Sequence, residues 1–194
     1  MPMNVEATQP SPLERRPIDV DDYRRMAELG ILAPDERVEL IEGEIVTMPP
    51  IAGDHVDVVN ELNARLVLAV GRQAIVSVQN PMILSDLSMP EPDLVLLRAR
   101  CGTGRRGVPE LDEVLLAIEV ADSTLRRDTV VKMPLYARHG VPEAWLADVP
   151  GERLVRHRDP VDGAYRDVAV PDDLSVVPLP GLEGVAIDLS ALFD

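Results

Sequence analysis

The chain has 194 residues, of which 46% are hydrophobic, a size and composition that predict one globular domain with its own core. A formal charge of −15 argues against a strongly basic nucleic-acid binder. An aromatic content of 3% argues against a platform that stacks successive bases, so any contact with nucleic acid must be local.

Cysteine content and apolar runs bear on the compartment. Cys101 is the only cysteine, which excludes an intramolecular disulfide framework and a thiolate zinc cluster. No charged-then-apolar leader is visible, and the apolar runs fall short of the roughly 20 residues that a membrane-spanning helix needs. We therefore expect a soluble, cytoplasmic protein with no membrane partner.

The N-terminal segment differs from the rest of the chain. Residues 1 to 17 contain several prolines among polar residues and no apolar period, which predicts a disordered tail. The remainder, residues 18 to 194, is then a single domain. Its first element is predicted at Asp19, where acidic residues open a short amphipathic helix that ends at Gly30.

A hairpin and a longer helix are predicted next. Residues 38 to 48 form two β-type runs around Glu42-Gly43, a dipeptide that can supply the positive φ of a tight turn. The second helix is predicted from about Asp54 to Val70. Its apolar face is expected to contain Val56, Val59, Leu62, Leu66, Val67 and Val70.

Four strand-like segments follow, at residues 74–79, 81–84, 92–98 and 113–121. The last two are nearly uniformly apolar, as strands covered on both faces are, and we expect them at the centre of the sheet. A connection rich in Gly and Arg joins them, which favours pairing as a long antiparallel hairpin. Because helices and strands are interspersed, the predicted fold class is α/β with a mixed central sheet flanked by helices.

The C-terminal part is predicted to extend or cap this sheet. A helix is expected over roughly residues 128 to 139, and Pro134 requires that it begin near Met133 or bend there, because proline lacks the amide donor. The closing residues, 178 to 194, are expected to form a strand and a short helix. Between these segments we predict a β-meander with strands at 143–149, 152–158 and 164–170.

Two acids stand out in the central strands. Asp93 opens the first strand, and Glu119 lies near the end of the second, so antiparallel pairing would bring the two carboxylates together. Adjacent acids raise each other's pKa, and such a pair usually binds a metal or shares a proton. Mg²⁺ suits it, because this ion needs only one or two protein carboxylates besides substrate phosphate oxygens. The alternative for Asp93 is a strand-start residue that bonds nearby amides.

Lys132 is the only lysine in a chain with 19 basic residues. The link between the Glu119 strand and the following helix is short enough for the ammonium to reach back to the carboxylates. An amine is compact and its pKa can be tuned, whereas a guanidinium stays protonated, which suggests a role that arginine does not fill. The structural alternative is that Lys132 alone neutralises Glu119, since an unpaired buried carboxylate costs several kcal/mol.

At these residues the sequence resembles a known family. The strings EPDLVLL and AIEVADSTLRRDTVVKMPLYARHGVPEAWLADV, together with the earlier VELIEGEIVTM and GDHVDVVNELNARL, resemble the Uma-type family of endonucleases in the PD-(D/E)XK nuclease superfamily. The resemblance runs from about Tyr23 to Phe193. The string from Glu119 to Asp148 is its most specific part.

The resemblance implies a restriction-endonuclease-like core in which Asp93 and Glu119 hold Mg²⁺ or Mn²⁺. The superfamily pattern has a lysine two residues after the acid, where this chain has Ala121, but the Uma-type pattern has it on the following helix, which matches Lys132. The implied reaction is phosphodiester hydrolysis, with Lys132 orienting the water or stabilising developing charge. Glu44 is a weaker candidate for a third acid near the metal.

Three further groups of charged or titratable residues have both a functional and a structural interpretation. Arg105 and Arg106 lie in the acid-free segment RARCGTGRRG, which could grip phosphates or could be a solvated loop. His55, near the start of the second helix, is interpreted as a capping or surface group rather than a ligand. Of the hairpin acids Glu39, Glu42 and Glu44, solvated faces are expected to explain at least two.

Two functions of different classes therefore remain. The first is a metal-dependent endonuclease acting on nucleic acid, with DNA as the expected substrate. The second is a non-catalytic acidic module that binds another protein, which the charge of −15 favours. The sequence leaves the formation of a homodimer open.

Overall fold

The structure is a computed structural model that describes residues 15–50, 53–99 and 107–194. Its helical elements are α1 (Val20–Glu28), α2 (Gly53–Val70), a 3₁₀ turn (Leu111–Glu113), α3 (Leu125–Arg127), a π-turn (Asp128–Lys132) and α4 (Met133–His139). Its strands are β1 (Val38–Ile41), β2 (Glu44–Thr47), β3 (Ala74–Val78), β4 (Leu94–Arg98), β5 (Val114–Ala121), β6 (Glu143–Asp148), β7 (Arg153–Val161), β8 (Ala164–Ala169), β9 (Val177–Pro178) and β10 (Ala186–Ile187).

A six-stranded mixed sheet forms the centre, with strand order β3-β4-β5-β6-β7-β8. Neighbouring strands are antiparallel except for β5 and β6, which pair in parallel. The parallel pair is joined by α3, the π-turn and α4, as a parallel connection requires a crossover. The α/β class, the antiparallel β4–β5 pair and the C-terminal meander are confirmed.

The sheet is apolar on both faces, which explains the uninterrupted apolar runs of β4 and β5. One face packs against α2, with Leu94, Ile118 and Val120 in that core. The opposite face packs against α4, with Val95 and Ala117 among its residues. Because successive side chains alternate between faces, Glu119 falls on the α4 face.

The β1–β2 hairpin turns where the sequence predicts it. Glu42 and Gly43 both have positive φ, at 49° and 80°, as a two-residue turn of this kind requires. The Met89 amide donates to the Leu40 carbonyl at 2.9 Å, which docks the hairpin beside the segment that leads into β4. This long-range contact brings Glu39 to the main domain.

The helical region before β6 begins earlier than predicted and contains a π-turn. The Met133 amide donates to the Asp128 carbonyl, five residues back, so this turn holds one more residue than an α-helical turn. Pro134 then falls at the start of α4, where the missing amide removes no bond that the helix needs. Of the two predicted alternatives, the structure shows a helix, α4, that starts at Met133. An α-turn and a π-turn precede it.

Three local predictions are wrong. Residues 81–84 form no strand but make an isolated bridge from Ile83 to Glu110. Val56 and Val67 are 41% and 49% exposed, because the buried stripe of α2 instead includes Val58. No helix forms in residues 178–194, which contain β10 and turns. At the end of the predicted tail, Arg15 pairs with the Glu44 carboxylate at 2.7 Å, while residues 1–14 lie outside the described residues.

None of the helices in the described ranges is long and apolar enough to cross a membrane.

Candidate active site

Asp93 and Glu119 meet at one end of the sheet. Leu94 pairs with Ile118 across antiparallel strands, so the residue before Leu94 lies opposite the residue after Ile118. Cross-strand partners share a face, and both carboxylates line the same cleft. Asp93 is tied to β5 directly, because its Oδ2 accepts a hydrogen bond from the Val120 amide at 2.8 Å.

Lys132 joins this pair from the last position of the π-turn. Its Nζ lies 3.1 Å from Glu119 Oε1 and 3.1 Å from Glu39 Oε2, and it donates to the Glu91 carbonyl at 3.2 Å. The lysine side chain is 5% exposed. The ammonium is therefore a buried cation that faces two carboxylates and donates to one carbonyl.

Glu39 is the acid that the hairpin contributes. Its side chain is 0% exposed; Arg127 pairs with Oε1, while Lys132 contacts Oε2. The Glu91 amide also donates to Oε2, at 3.2 Å. Both carboxylate oxygens are thus satisfied, which is what a fully buried carboxylate requires.

The surrounding cleft contains more acids than bases. It offers about 60 Å³ to water-sized groups, enough for an ion with a few waters. Its permanent cations are Arg37, Arg127 and Lys132. Its carboxylates are Glu39, Glu91, Asp93, Glu119, Asp122 and Asp128. The excess of carboxylates favours a cation over an anion at this position.

Burial and the charge of the partner act in opposite directions on the pKa of each residue in the Glu119–Lys132 pair. Burial raises the pKa of Glu119 well above its usual range, and this exceeds the opposing effect of the Lys132 ammonium. Burial alone would lower the pKa of Lys132, but Glu119, Glu39 and Asp128 together raise it. The lysine therefore stays charged. The buried Tyr136 hydroxyl donates to Glu119 Oε1 and further stabilises its ionised form.

Two more acids in the cleft have raised pKa values. Burial is the main cause for both Glu91 and Asp128. Asp128 accepts a hydrogen bond from the Thr124 hydroxyl, which with Lys132 opposes the rise in its pKa. Carboxylates that are desolvated and close to one another gain stability from a cation placed among them.

The donor chemistry of the cleft fits a hard divalent cation. Among residues 15–50, 53–99 and 107–194, no three His, Cys, Asp or Glu side chains are arranged as a ready metal cluster. The pair of Asp93 and Glu119 still matches Mg²⁺, which takes one or two carboxylates and fills its remaining positions with water and substrate oxygens. These two residues are the ones that would hold the ion.

Of the remaining predicted site residues, Glu44 does not line the cleft. Its side chain is 61% exposed beside Arg15. The hairpin acid that reaches the cleft is Glu39, because β1 faces the domain whereas the Glu44 carboxylate faces solvent. Arg105 and Arg106 lie outside the described residues.

His55 is the residue that the sequence interpretation misplaced. It is neither a surface group nor a helix cap: its Nε2 lies 3.0 Å from Asp93 Oδ1, and its side chain is 14% exposed. The contact with Asp93 raises the pKa of His55. The one feature of the sequence that could have indicated this position is that His55 falls in the first turn of a predicted helix. Tyr136 gave none, since a buried tyrosine in an amphipathic helix is usually part of the core.

Comparisons with known proteins agree with this architecture. A crystal structure described as "a putative nuclease belonging to DUF820" from Anabaena variabilis superimposes with a TM-score of 0.70 at 21% identity, covering 91% of this chain and 98% of the other. At that identity the likeness establishes the fold. No curated protein matches the sequence.

The family model of Uma2, which carries the description "Putative restriction endonuclease", matches residues 20–190. The match includes the hairpin that supplies Glu39, both central strands and the helix that carries Lys132. It also spans the meander and nearly all of the C-terminal segment. This chain therefore belongs to the Uma2 family.

Proposed function

We propose that the protein is an endonuclease that hydrolyses phosphodiester bonds in DNA with the help of Mg²⁺ or Mn²⁺. The observation that carries the proposal is the meeting of Asp93 and Glu119 in one cleft with the Lys132 ammonium 3.1 Å from Glu119. Membership of the Uma2 family supports it. So does the excess of carboxylates, which suits a cation that offsets their charge before an anionic substrate approaches.

Asp93 and Glu119 would hold the cation. A divalent ion held there would supply Lewis-acid polarisation of the phosphoryl group and a lowered pKa for the attacking water. Glu119 is held by Lys132 and by the Tyr136 hydroxyl, so its carboxylate has a fixed position in the cleft. Asp93 is fixed by the Val120 amide. Both acids are therefore arranged before the substrate binds, which avoids reorganisation during the reaction.

Lys132 stabilises developing negative charge through its field. Its Nζ donates to the Glu91 carbonyl and lies 3.1 Å from carboxylate oxygens of Glu39 and Glu119. A direct bond to water or phosphate would compete with these three acceptors. The Glu91 carbonyl is the weakest of the three acceptors because it is uncharged.

A nuclease assay with Mg²⁺ or Mn²⁺ over plasmid DNA, single-stranded DNA and RNA tests the proposal. We expect cleavage of DNA, and we expect Asp93→Asn to lower its rate by about a hundredfold to a thousandfold. The matched control is Asp167→Asn, which removes an exposed carboxylate of β8 that pairs with Arg158. Metal-dependent cleavage of RNA alone would show that the substrate is RNA instead of DNA. Cleavage by Asp93→Asn at the wild-type rate would refute the proposed active site.

The second candidate is a non-catalytic acidic module that binds another protein. Its support is the charge of −15 together with a buried lysine whose ammonium is surrounded by protein acceptors. Such a module needs no metal. If the purified protein neither cleaves nucleic acid nor gains thermal stability from millimolar Mg²⁺ or Mn²⁺, this second function is favoured.

A further inference from the structure

His55 makes two contacts at the edge of the cleft that the proposed reaction does not use. Its Nδ1 lies 2.9 Å from the Val120 carbonyl, and its Nε2 lies 3.0 Å from Asp93 Oδ1. A carbonyl only accepts, so Nδ1 carries a proton. Nε2 has no aligned hydrogen-bond partner in the described part of the chain, and its contact with Asp93 is therefore one of charge and proximity.

These contacts close a ring through one residue of β5. Val120 donates its amide to Asp93 Oδ2 at 2.8 Å and receives His55 at its carbonyl. The carboxylate of Asp93 thus accepts a hydrogen bond from the Val120 backbone at one oxygen and lies 3.0 Å from the imidazole at the other. Val120 directly follows Glu119, so the ring fixes Asp93 relative to the strand that carries the second acid.

Helix α2 has an apolar attachment to the sheet that is separate from this imidazole. Helix α2 is attached to the sheet by a buried stripe that includes Val59, Leu62 and Leu66, each 5% exposed or less. His55 lies at the N-terminal end of the helix, where it lines the cleft. An imidazole aimed at a carboxylate there is explained better by the carboxylate than by the attachment of the helix.

We propose that His55 is a positioning residue that holds Asp93 in the orientation needed to bind the divalent cation. The inference rests on the proposed function, since it assigns Asp93 as a metal ligand. Side chains in direct contact with metal ligands orient them, and removal of such partners commonly lowers metal affinity about 10- to 100-fold. His55 acts through Asp93 and is not itself counted among the ligands.

The test measures Mn²⁺ and Mg²⁺ affinity by calorimetry for the metal-free full-length chain and for Asp93→Asn, His55→Ala, His55→Gln and His55→Asn. We expect His55→Ala to bind the ion about 10- to 100-fold more weakly than the wild type. The two amide variants separate the contacts. Gln places its amide near the Nε2 position and can still reach Asp93, whereas Asn places it near Nδ1 and can reach only the Val120 carbonyl.

If His55 positions Asp93, His55→Gln recovers more of the affinity than His55→Asn, and all three variants keep a metal-free melting temperature close to that of the wild type. If the histidine only attaches α2 to β5, the order reverses and the melting temperature falls. His139→Ala, on the far end of α4, is the control and should bind metal normally.

The failures of the two proposals give different results. If the wild type binds the ion, Asp93→Asn does not, and His55→Ala binds within twofold of the wild type, the role of His55 is refuted while the metal site stands. If the wild type binds neither ion, or Asp93→Asn binds as well as the wild type, the metal site itself is refuted together with the role of His55.

Discussion

Two buried groups of charges, on neighbouring strands of the same sheet, are built differently. In the C-terminal half, Glu143 and Arg156 pair at 2.8 Å, and the Trp145 indole donates to the same Glu143 oxygen at 2.6 Å. There one acid meets one base, and the guanidinium also stacks over the Trp145 ring at 5.7 Å. At the cleft, by contrast, Lys132 is shared by Glu39 and Glu119.

The difference separates a structural ion pair, in which one base neutralises one acid, from a candidate cation-binding site, in which acids outnumber bases. A buried acid with its own base needs nothing further, and it contributes mainly by avoiding an uncompensated charge. A cleft in which carboxylates outnumber basic side chains has net negative charge, which an added cation would neutralise. Burial alone is therefore not the mark of function in this molecule, and the local balance of acid and base is the better indicator.

The largest expected effect comes from removing the cation of each group. Lys132→Met and Arg156→Met should each lower the free energy of unfolding by about 3–5 kcal/mol, because each leaves a buried carboxylate, Glu119 or Glu143, without its cation. Urea denaturation measures both losses. If the cleft is the proposed metal site, addition of 10 mM Mg²⁺ should restore part of the stability of Lys132→Met and none of that of Arg156→Met. Equal responses to Mg²⁺ would remove the distinction.

A smaller effect is expected from two tyrosine hydroxyls. Tyr136 donates to the Glu119 carboxylate, and Tyr165 donates to the Val141 carbonyl at 2.9 Å. Tyr136→Phe should cost about 1.5–3 kcal/mol and Tyr165→Phe about 0.5–1.5 kcal/mol, because bonds to charged acceptors are stronger. Chemical denaturation of the two variants gives the comparison. A cost for Tyr165→Phe that equals or exceeds the other would contradict it.

His157, on β7, should give the C-terminal half a pH dependence of its own. Burial lowers the pKa of this histidine below its ordinary 6.5, so the folded state takes up the proton less readily than the unfolded state. Its stabilising contribution is therefore present above pH 6.5 and is lost as pH falls through the folded pKa. The slope is at most about 1.4 kcal/mol per pH unit.

Replacement of that histidine isolates the effect. Between pH 7.5 and 5.5, His157→Gln should lose less unfolding free energy than the wild type, as measured by urea titrations at each pH. Parallel losses in the two proteins would show that His157 does not titrate in this way.

The smallest effect is expected at Glu44, an acid that is exposed on the hairpin. Glu44→Gln should change the free energy of unfolding by less than about 0.5 kcal/mol, as surface substitutions usually do. It should also leave any Mg²⁺-dependent rise in melting temperature unchanged. A reduced rise would restore Glu44 as a third acid of the metal site.

The sequence was sufficient where local pattern and pairing determine position. Two apolar strands in antiparallel order bring Asp93 and Glu119 together, and the short link after β5 brings Lys132 back to them. It was insufficient for Glu39 and His55, because their positions depend on how the hairpin and α2 dock against the sheet. Glu39 and Glu44 lie on the same face of the hairpin, because Ile41 pairs with Glu44, and sequence alone does not show that docking buries β1 and leaves Glu44 of β2 exposed.

The π-turn between α3 and α4 makes the length of one short segment matter as much as its composition. Each residue of an α-helix turns the chain by about 100°, so a deletion within residues 128–132 would leave an ordinary helical turn and point the lysine away from Glu119. Homologues should therefore tolerate insertions and deletions in the Asp162–Gly163 turn between β7 and β8 far better than in this segment. The number of residues between Glu119 and Lys132 should then be the same in homologues, even where the residues between them differ.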